Sequence, residues 1–173
     1  MMQILPKRDS SSRKDSPKEA YTRVYNCAMG LLSRREHSIS EMYAKLTLRK
    51  FDRVYIDDAL DTLIEEGALN EARFIAAYIH SRASRGFGPA RIQAELRERG
   101  ISSCDIELAT EAVETSWDER ATQVRAKRFG LHAPDDFQEK AKQMRFLGQR
   151  GFSHEQIRSA FMLFSAGEAV VAS

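Results

Sequence analysis

The chain has little of what interrupts a helix. Of its 173 residues, four are proline and nine are glycine, too few for a fold of many short strands and hairpins. The two cysteines, Cys27 and Cys104, make no close-spaced motif and read as buried or incidental thiols of a reducing compartment. The histidines, His37, His80, His132 and His154, are scattered, without the spacing of metal ligands. No long apolar run occurs, so no membrane span is expected. Lys7, Arg8, Arg13 and Lys14 are not followed by an apolar stretch, which argues against a secretory signal; a cytoplasmic protein is the simplest expectation. No glycine-rich phosphate loop follows a strand, and no serine, cysteine or lysine sits where a nucleophile would be activated. Neither a cofactor nor an enzymatic activity is expected.

An excess of charge of one sign is also missing. The net charge is +2, so no global field selects a partner. The distribution says more. Seven acidic residues stand against two basic ones from Asp52 to Ala76, and six against none from Ile101 to Glu119. Between them, Arg82 to Arg99 holds five arginines against Glu95 and Glu98. Arg120 to Arg150 holds eight basic residues against Asp135, Asp136 and Glu139. Such alternation serves pairing within the molecule and solubility, or gives it one basic and one acidic face.

What the sequence does have is repetition. Slid by 50 residues, Leu46, Arg49, Phe51, Ile56, Ala59 and Leu63 fall on Leu96, Arg99, Ile101, Ile106, Ala109 and Val113. A further 51 residues brings in Leu147, Arg150, Phe152, Ile157, Ala160 and Phe164. A period of this length marks stacked supersecondary units, which present surfaces to partners more than they enclose reaction centres.

Start and stop signals divide each unit into three helices. Ser16-Pro17-Lys18-Glu19, Ser38-Ile39-Ser40-Glu41 and Ser102-Ser103-Cys104-Asp105 have the spacing of capping boxes. Asp52, Asn70, Ser116 and Ser153 begin further helices, while Gly67, Gly100 and Gly130 end helices as left-handed caps. Gly86-Phe87-Gly88-Pro89 breaks the second unit between its first two helices. The expected architecture is all-α: three tandem three-helix repeats in an elongated, curved stack. Residues 16–68, 69–115 and 116–165 form the units, 1–15 a disordered tail and 166–173 a frayed end. Helices are expected at about 90–99, 136–150 and 154–164 among others.

The most specific stretch runs from Leu69 to Ile101. With Tyr55-Ile56-Asp57-Asp58 before it and residues 146–152 after it, this stretch resembles the RecX family of regulatory proteins over roughly residues 18–164. In that pattern Arg82 or Arg85 is the arginine before the glycine-rich break, Gly88-Pro89 the glycine-proline, and Arg91 and Leu96 the positions after it. Lys50 stands where the pattern has glycine. The resemblance implies a modulator of the RecA recombinase without enzymatic activity. Such a protein would lie in the groove of the RecA–DNA filament and inhibit its ATPase, strand-exchange and co-protease activities. A monomer is expected.

Arginine and lysine are the candidate contact residues. Arg82, Arg85, Arg91 and Arg97 cluster about one loop. Lys127, Arg128, Lys140, Lys142 and Arg145 make the third unit the most basic. Arg49, Arg99 and Arg150 share one place in all three units, where they complement a helix dipole or form a row that meets phosphates or an acidic surface. Lys45 lies four residues before Arg49, on the same side of its helix. Asp57 and Asp58 are adjacent, so a helix points them apart; they read as solvated or partner-facing carboxylates. Phe74, Tyr78, Phe152, Phe161 and Phe164 have core spacing, Trp117 should pack between units, and Phe87 is open to either a packing or a contact role. The rival reading is a helix-turn-helix-like nucleic-acid-binding module that acts without RecA; a structural adaptor is a third.

Overall fold

The computed structural model describes residues 16–112 and 116–168, with side chains as far as Met162. Among them are nine helices and no strand. The first unit holds α1 (Pro17–Leu32), α2 (Ile39–Leu48) and α3 (Arg53–Glu65); the second, α4 (Glu71–Ser84), α5 (Pro89–Arg97) and α6 (Ser103–Ala112); the third, α7 (Trp117–Phe129), α8 (Phe137–Gln149) and α9 (His154–Glu168). The expectations for residues 1–15, Val113 and 169–173 lie outside the described residues, as does that for the Phe164 side chain.

Side-chain caps set most helix starts. Ser16 and Glu19 form both bonds of a capping box, and Ser153 and Gln156 exchange the same pair. Ser38, Asn70, Ser102, Ser116 and Asp136 each accept one backbone N–H. Asp52 begins α3 without a side-chain cap bond. The box expected at Ser38 forms only in part. The Glu41 N–H donates to Ser38, but its carboxylate turns to Arg35, His37 and Arg99. Some helices differ in extent from the sequence reading. α5 starts at Pro89, whose fixed φ suits a first helical position, and stops at Arg97. α9 runs on to Glu168, past the last periodic apolar residue.

Each unit has its own core. Val24, Ala28, Met42, Leu46, Ile56 and Leu63 fill the first; Phe74, Ile75, Ile79, Ile92, Leu96 and Ile106 the second; Ala121, Leu147, Phe152, Ile157 and Ala160 the third. Trp117 packs against both the second and third cores. The substantial helix packing lies within units, chiefly α1 on α3 and α7 on α9. Between units it is turns that meet turns, which makes the array elongated.

At the first boundary the Ser38 hydroxyl donates to the Arg99 carbonyl at 3.4 Å, and the Ile39 N–H donates to Glu71 at 3.2 Å. Arg99 pairs with Glu41 at 3.3 Å, and Arg73 with Glu36 at 2.7 Å. At the second boundary the Gly88 N–H donates to the Arg150 carbonyl at 2.7 Å, and the Ala90 N–H to the Gly151 carbonyl at 3.1 Å. Only glycine fits here. A Cβ on Gly88 would lie 2.5 Å from the Gly151 carbonyl, and one on Gly151 2.5 Å from Arg91.

Candidate functional site

The second boundary also opens a groove. It encloses about 490 Å³ and is lined by five cations, Arg85, Arg120, Lys127, Arg128 and Arg150, with no acidic residue. Three elements build it. α7 contributes Arg120, Val124 and Lys127, which the i, i+4, i+7 spacing puts on one helical face. The end of α4 contributes Arg85, and the end of α8 contributes Phe146 and Arg150. Gly86 helps form its floor: a Cβ there would come within 3.0 Å of Val124 and 3.2 Å of the Arg150 guanidinium.

Arg150 ties this wall together. Its Nη1 donates to the carbonyls of Gly86 at 3.2 Å and Arg85 at 3.3 Å, so a cation covers the negative end of α4. Its guanidinium also lies over the rings of Phe146 at 4.6 Å and Phe87 at 5.5 Å. Arg85, Arg120 and Lys127 have no ion pair among the described residues. Arg85 and Lys127 are exposed and Arg120 is half-buried. Unneutralised cations at close quarters make the groove a place for an anionic partner, since their mutual repulsion is relieved when phosphates or carboxylates enter.

Of the ten foremost sequence candidates, the groove gathers Arg85, Lys127, Arg128 and Arg150. Arg82 and Arg91 are engaged elsewhere. Both pair with Glu95, Arg91 at 3.1 Å, and both lie over the Phe87 ring, at 3.9 and 4.6 Å. Phe87 is thus half-buried among arginines. Burial pushes the Glu95 carboxyl up, but hydrogen bonds from Arg82, Tyr78 and Arg91 outweigh it and hold the carboxyl below its ordinary value. Tyr78, half-buried and bonded to Glu95, is pushed up. Arg91 reaches the Gln149 carbonyl as well, so this cluster braces the boundary.

The other candidates lie outside the groove. Arg97 donates to Ser103 at 3.4 Å. Lys140 sits 5.9 Å from the Phe161 ring centre, Lys142 pairs with Glu139 at 3.1 Å, and Arg145 is exposed on α8. Lys45, Arg49, Asp57 and Asp58 belong to the first unit, where Arg49 donates to the Lys45 carbonyl at 3.0 Å and both aspartates are exposed. Arg120 is the groove residue that the sequence reading did not single out. Its signal was the seven-residue spacing to Lys127 on a helix rich in cations.

The described residues contain no group of three or more histidine, cysteine or acidic side chains able to hold a metal ion. No helix among them is long and apolar enough to cross a membrane.

Comparison with known proteins agrees with this architecture unit by unit. The family models for the first, second and third three-helix domains of RecX match residues 25–63, 70–109 and 116–161. Regulatory protein RecX of Halorhodospira halophila is 42% identical over 137 residues, covering 79% of this chain and 85% of the relative. Regulatory protein RecX of Pseudomonas fluorescens is 44% identical over 134 residues, covering 78% and 86%. The crystal structure of RecX from Lactobacillus salivarius superimposes with a TM-score of 0.73 at 21% identity, over 86% of this chain and 99% of that one. A second crystal structure, of a regulatory protein RecX, gives 0.68 at 20% identity, over 82% and 72%. Three tandem triplets in the same order, with relatives above 40% identity over most of their length, leave one conclusion: the chain belongs to the RecX family of regulatory proteins.

Proposed function

We propose that this protein is a negative modulator of the RecA recombinase that binds along the groove of the RecA–DNA filament and inhibits its ATPase and strand exchange. The observation that carries this reading is the acid-free groove of five cations at the junction of two units. An elongated array can follow a filament groove, and its basic side can meet phosphates or an acidic protomer surface. Occupying that groove would obstruct the incoming duplex. Preferential binding to a less active filament state would draw the population toward that state.

The rival, a helix-turn-helix-like module acting on DNA alone, is favoured by the three-helix shape of each unit. The third helices of the first two units speak against it. α3 carries Asp57, Asp58, Asp61 and Glu65, and α6 carries Asp105, Glu107 and Glu111. Recognition helices with this charge would meet the phosphate backbone with repulsion.

The test is ATP hydrolysis by RecA on single-stranded DNA, with substoichiometric amounts of this protein. Inhibition by the wild type is expected, and its loss in the variant carrying Arg85→Glu, Arg120→Glu and Lys127→Glu. Absence of inhibition together with tight binding to naked DNA would transfer the assignment to the rival.

A further inference from the structure

The two internal junctions follow one plan. The turn that ends the second helix of a unit, with its arginine and its left-handed residue, docks on the turn that begins the second helix of the preceding unit. Three units hold three donor turns and three receiving turns, and the two junctions use two of each. The donor turn of the first unit, Arg49-Lys50-Phe51, and the receiving turn of the third, residues 130–136, have no counterpart among the described residues.

These two ends match. The third receiving turn is built like the first. Asp136 caps α8 as Ser38 caps α2, Phe137 stands where Ile39 does, and Glu139 where Glu41 does. Glu41 is the residue that pairs with Arg99. Arg99 is anchored at home by donating to the Glu95 carbonyl four residues earlier, at 2.6 Å. Arg49 makes the same home bond to Lys45, and its remaining N–H groups have no partner among the described residues. Ile39 is half-buried and joined to Glu71 of the next unit, whereas Phe137 is 84% exposed and Leu131 72%. One end carries Lys45, Arg49, Lys50 and Arg53, with Asp52 the single acid among them; the other carries Asp135, Asp136 and Glu139, the last shared with Lys142. The receiving turn is held in shape by buried Arg125, whose Nη2 donates to the His132 carbonyl at 2.8 Å.

We propose that copies of this chain associate head to tail, the Arg49-Lys50-Phe51 turn of one docking on the segment from Leu131 to Glu139 of the next. Arg49 then pairs with Glu139 as Arg99 pairs with Glu41, and molecules laid along a linear support continue the internal repeat. The contact is weak by construction. A turn-sized patch falls below the roughly 1,000 Å² of a stable interface. Lys50 also carries a Cβ where the junctions within the chain have Gly100 and Gly151. The contact concerns the protein alone and does not rest on the recombinase reading.

Sedimentation velocity at low salt, from about 10 µM to about 1 mM protein, spans the range of such affinities. The sedimentation coefficient of the wild type should rise with concentration. Arg49→Glu and Glu139→Arg should each lower the association constant about tenfold by setting like charges together, and the double variant, whose charges are exchanged, should regain most of it. Phe137→Ser, at an exposed position, should weaken association without touching the core. Circular dichroism confirms that each variant keeps its helices. A monomer across the whole range, or a double variant no better than either single one, overturns the proposal. So does a monomer whose Glu139→Arg variant loses filament binding, because the turn would then belong to the recombinase.

Discussion

The carbonyl oxygen of Arg150 accepts the backbone N–H of Gly88 at 2.7 Å, so the end of α8 caps the beginning of α5. The next carbonyl, of Gly151, takes the N–H of Ala90. α5 opens with glycine and proline, neither of which has a side chain able to satisfy the free N–H groups at a helix start. Those bonds come from the third unit instead. The boundary that positions the basic groove is therefore also part of what completes α5.

Gly88→Ala tests this dependence. Its φ of −87° suits any residue, so the change acts only through the 2.5 Å approach of the new Cβ to the Gly151 carbonyl. Forcing two backbones apart at a packed contact is expected to cost about 1–3 kcal/mol, read as a fall in the urea midpoint. Trp117, the single tryptophan, packs on both adjoining cores, and its emission should shift to longer wavelength as the boundary loosens. Gly30→Ala is the control. Nothing lies within 4 Å of its Cβ position in α1, and this exposed helical site should gain about 0.5–1 kcal/mol.

The helices were legible because caps and apolar spacing are local. Ser16, Asn70, Ser116 and Ser153 announce their helices within four residues, and the alignment of Leu46, Leu96 and Leu147 gives the repeat. What local spacing could not show is where a side chain goes once units meet. Glu41 has the place of a capping-box partner, yet Arg99 from the next unit and neighbouring Arg35 and His37 draw its carboxylate away. Arg99 and Arg150 share a register that reads as a helix-end cation, but each also reaches into the preceding unit, Arg99 to Glu41 and Arg150 to the Arg85 and Gly86 carbonyls. Arg82 and Arg91 looked available because Glu95, which holds both, is only one acid in a basic stretch. Arg120 was overlooked for the converse reason: its partnership with Arg85 crosses a unit boundary.

His37 supplies a pH dependence. The ring is buried beside Glu41, and burial, helped by Arg35 and Lys45, pushes its pKa below the ordinary value of 6.5 despite the carboxylate. The unfolded chain therefore takes up the proton first as pH falls. Stability should be complete above the unfolded value and decline as pH drops through it. In His37→Gln that part of the decline should vanish. Urea midpoints at pH 7.5 and 5.5, compared between wild type and variant, isolate it from other groups.

Unpaired and paired cations should differ in their salt response toward an anionic partner. Replacing Arg85, Arg120 and Lys127 by glutamine should reduce the slope of log affinity against log salt by up to about 0.7–0.9 for each phosphate contact removed. Lys142→Gln, whose ammonium already holds Glu139, should leave the slope nearly unchanged. Fluorescence anisotropy with labelled single-stranded DNA, alone and coated with RecA, measures both. Equal effects from the two sets would remove the groove from the contact surface.

The left-handed residues after α2, α5 and α8 form a graded series. Lys50, Gly100 and Gly151 have φ values of 61°, 81° and 90°, but the space around them differs. Lys50 is exposed and belongs to the first unit. A Cβ on Gly100 would meet the Ser40 side chain at 3.2 Å, which can yield, and one on Gly151 would meet the backbone of Arg91 at 2.5 Å, which cannot without moving α5. A left-handed non-glycine residue costs about 1–2 kcal/mol, while glycine loses roughly 0.5–1 kcal/mol more entropy on folding. Lys50→Gly should therefore stabilise the protein by a few tenths to about 1 kcal/mol. By the same balance Gly100→Ala should lose a few tenths to about 1 kcal/mol through the backbone, and Gly151→Ala should lose more, because steric overlap adds to the same backbone strain. Urea titrations of the three variants give the ranking. If Gly151→Ala proves as mild as Gly100→Ala, the close approach of the second and third units does not govern this turn.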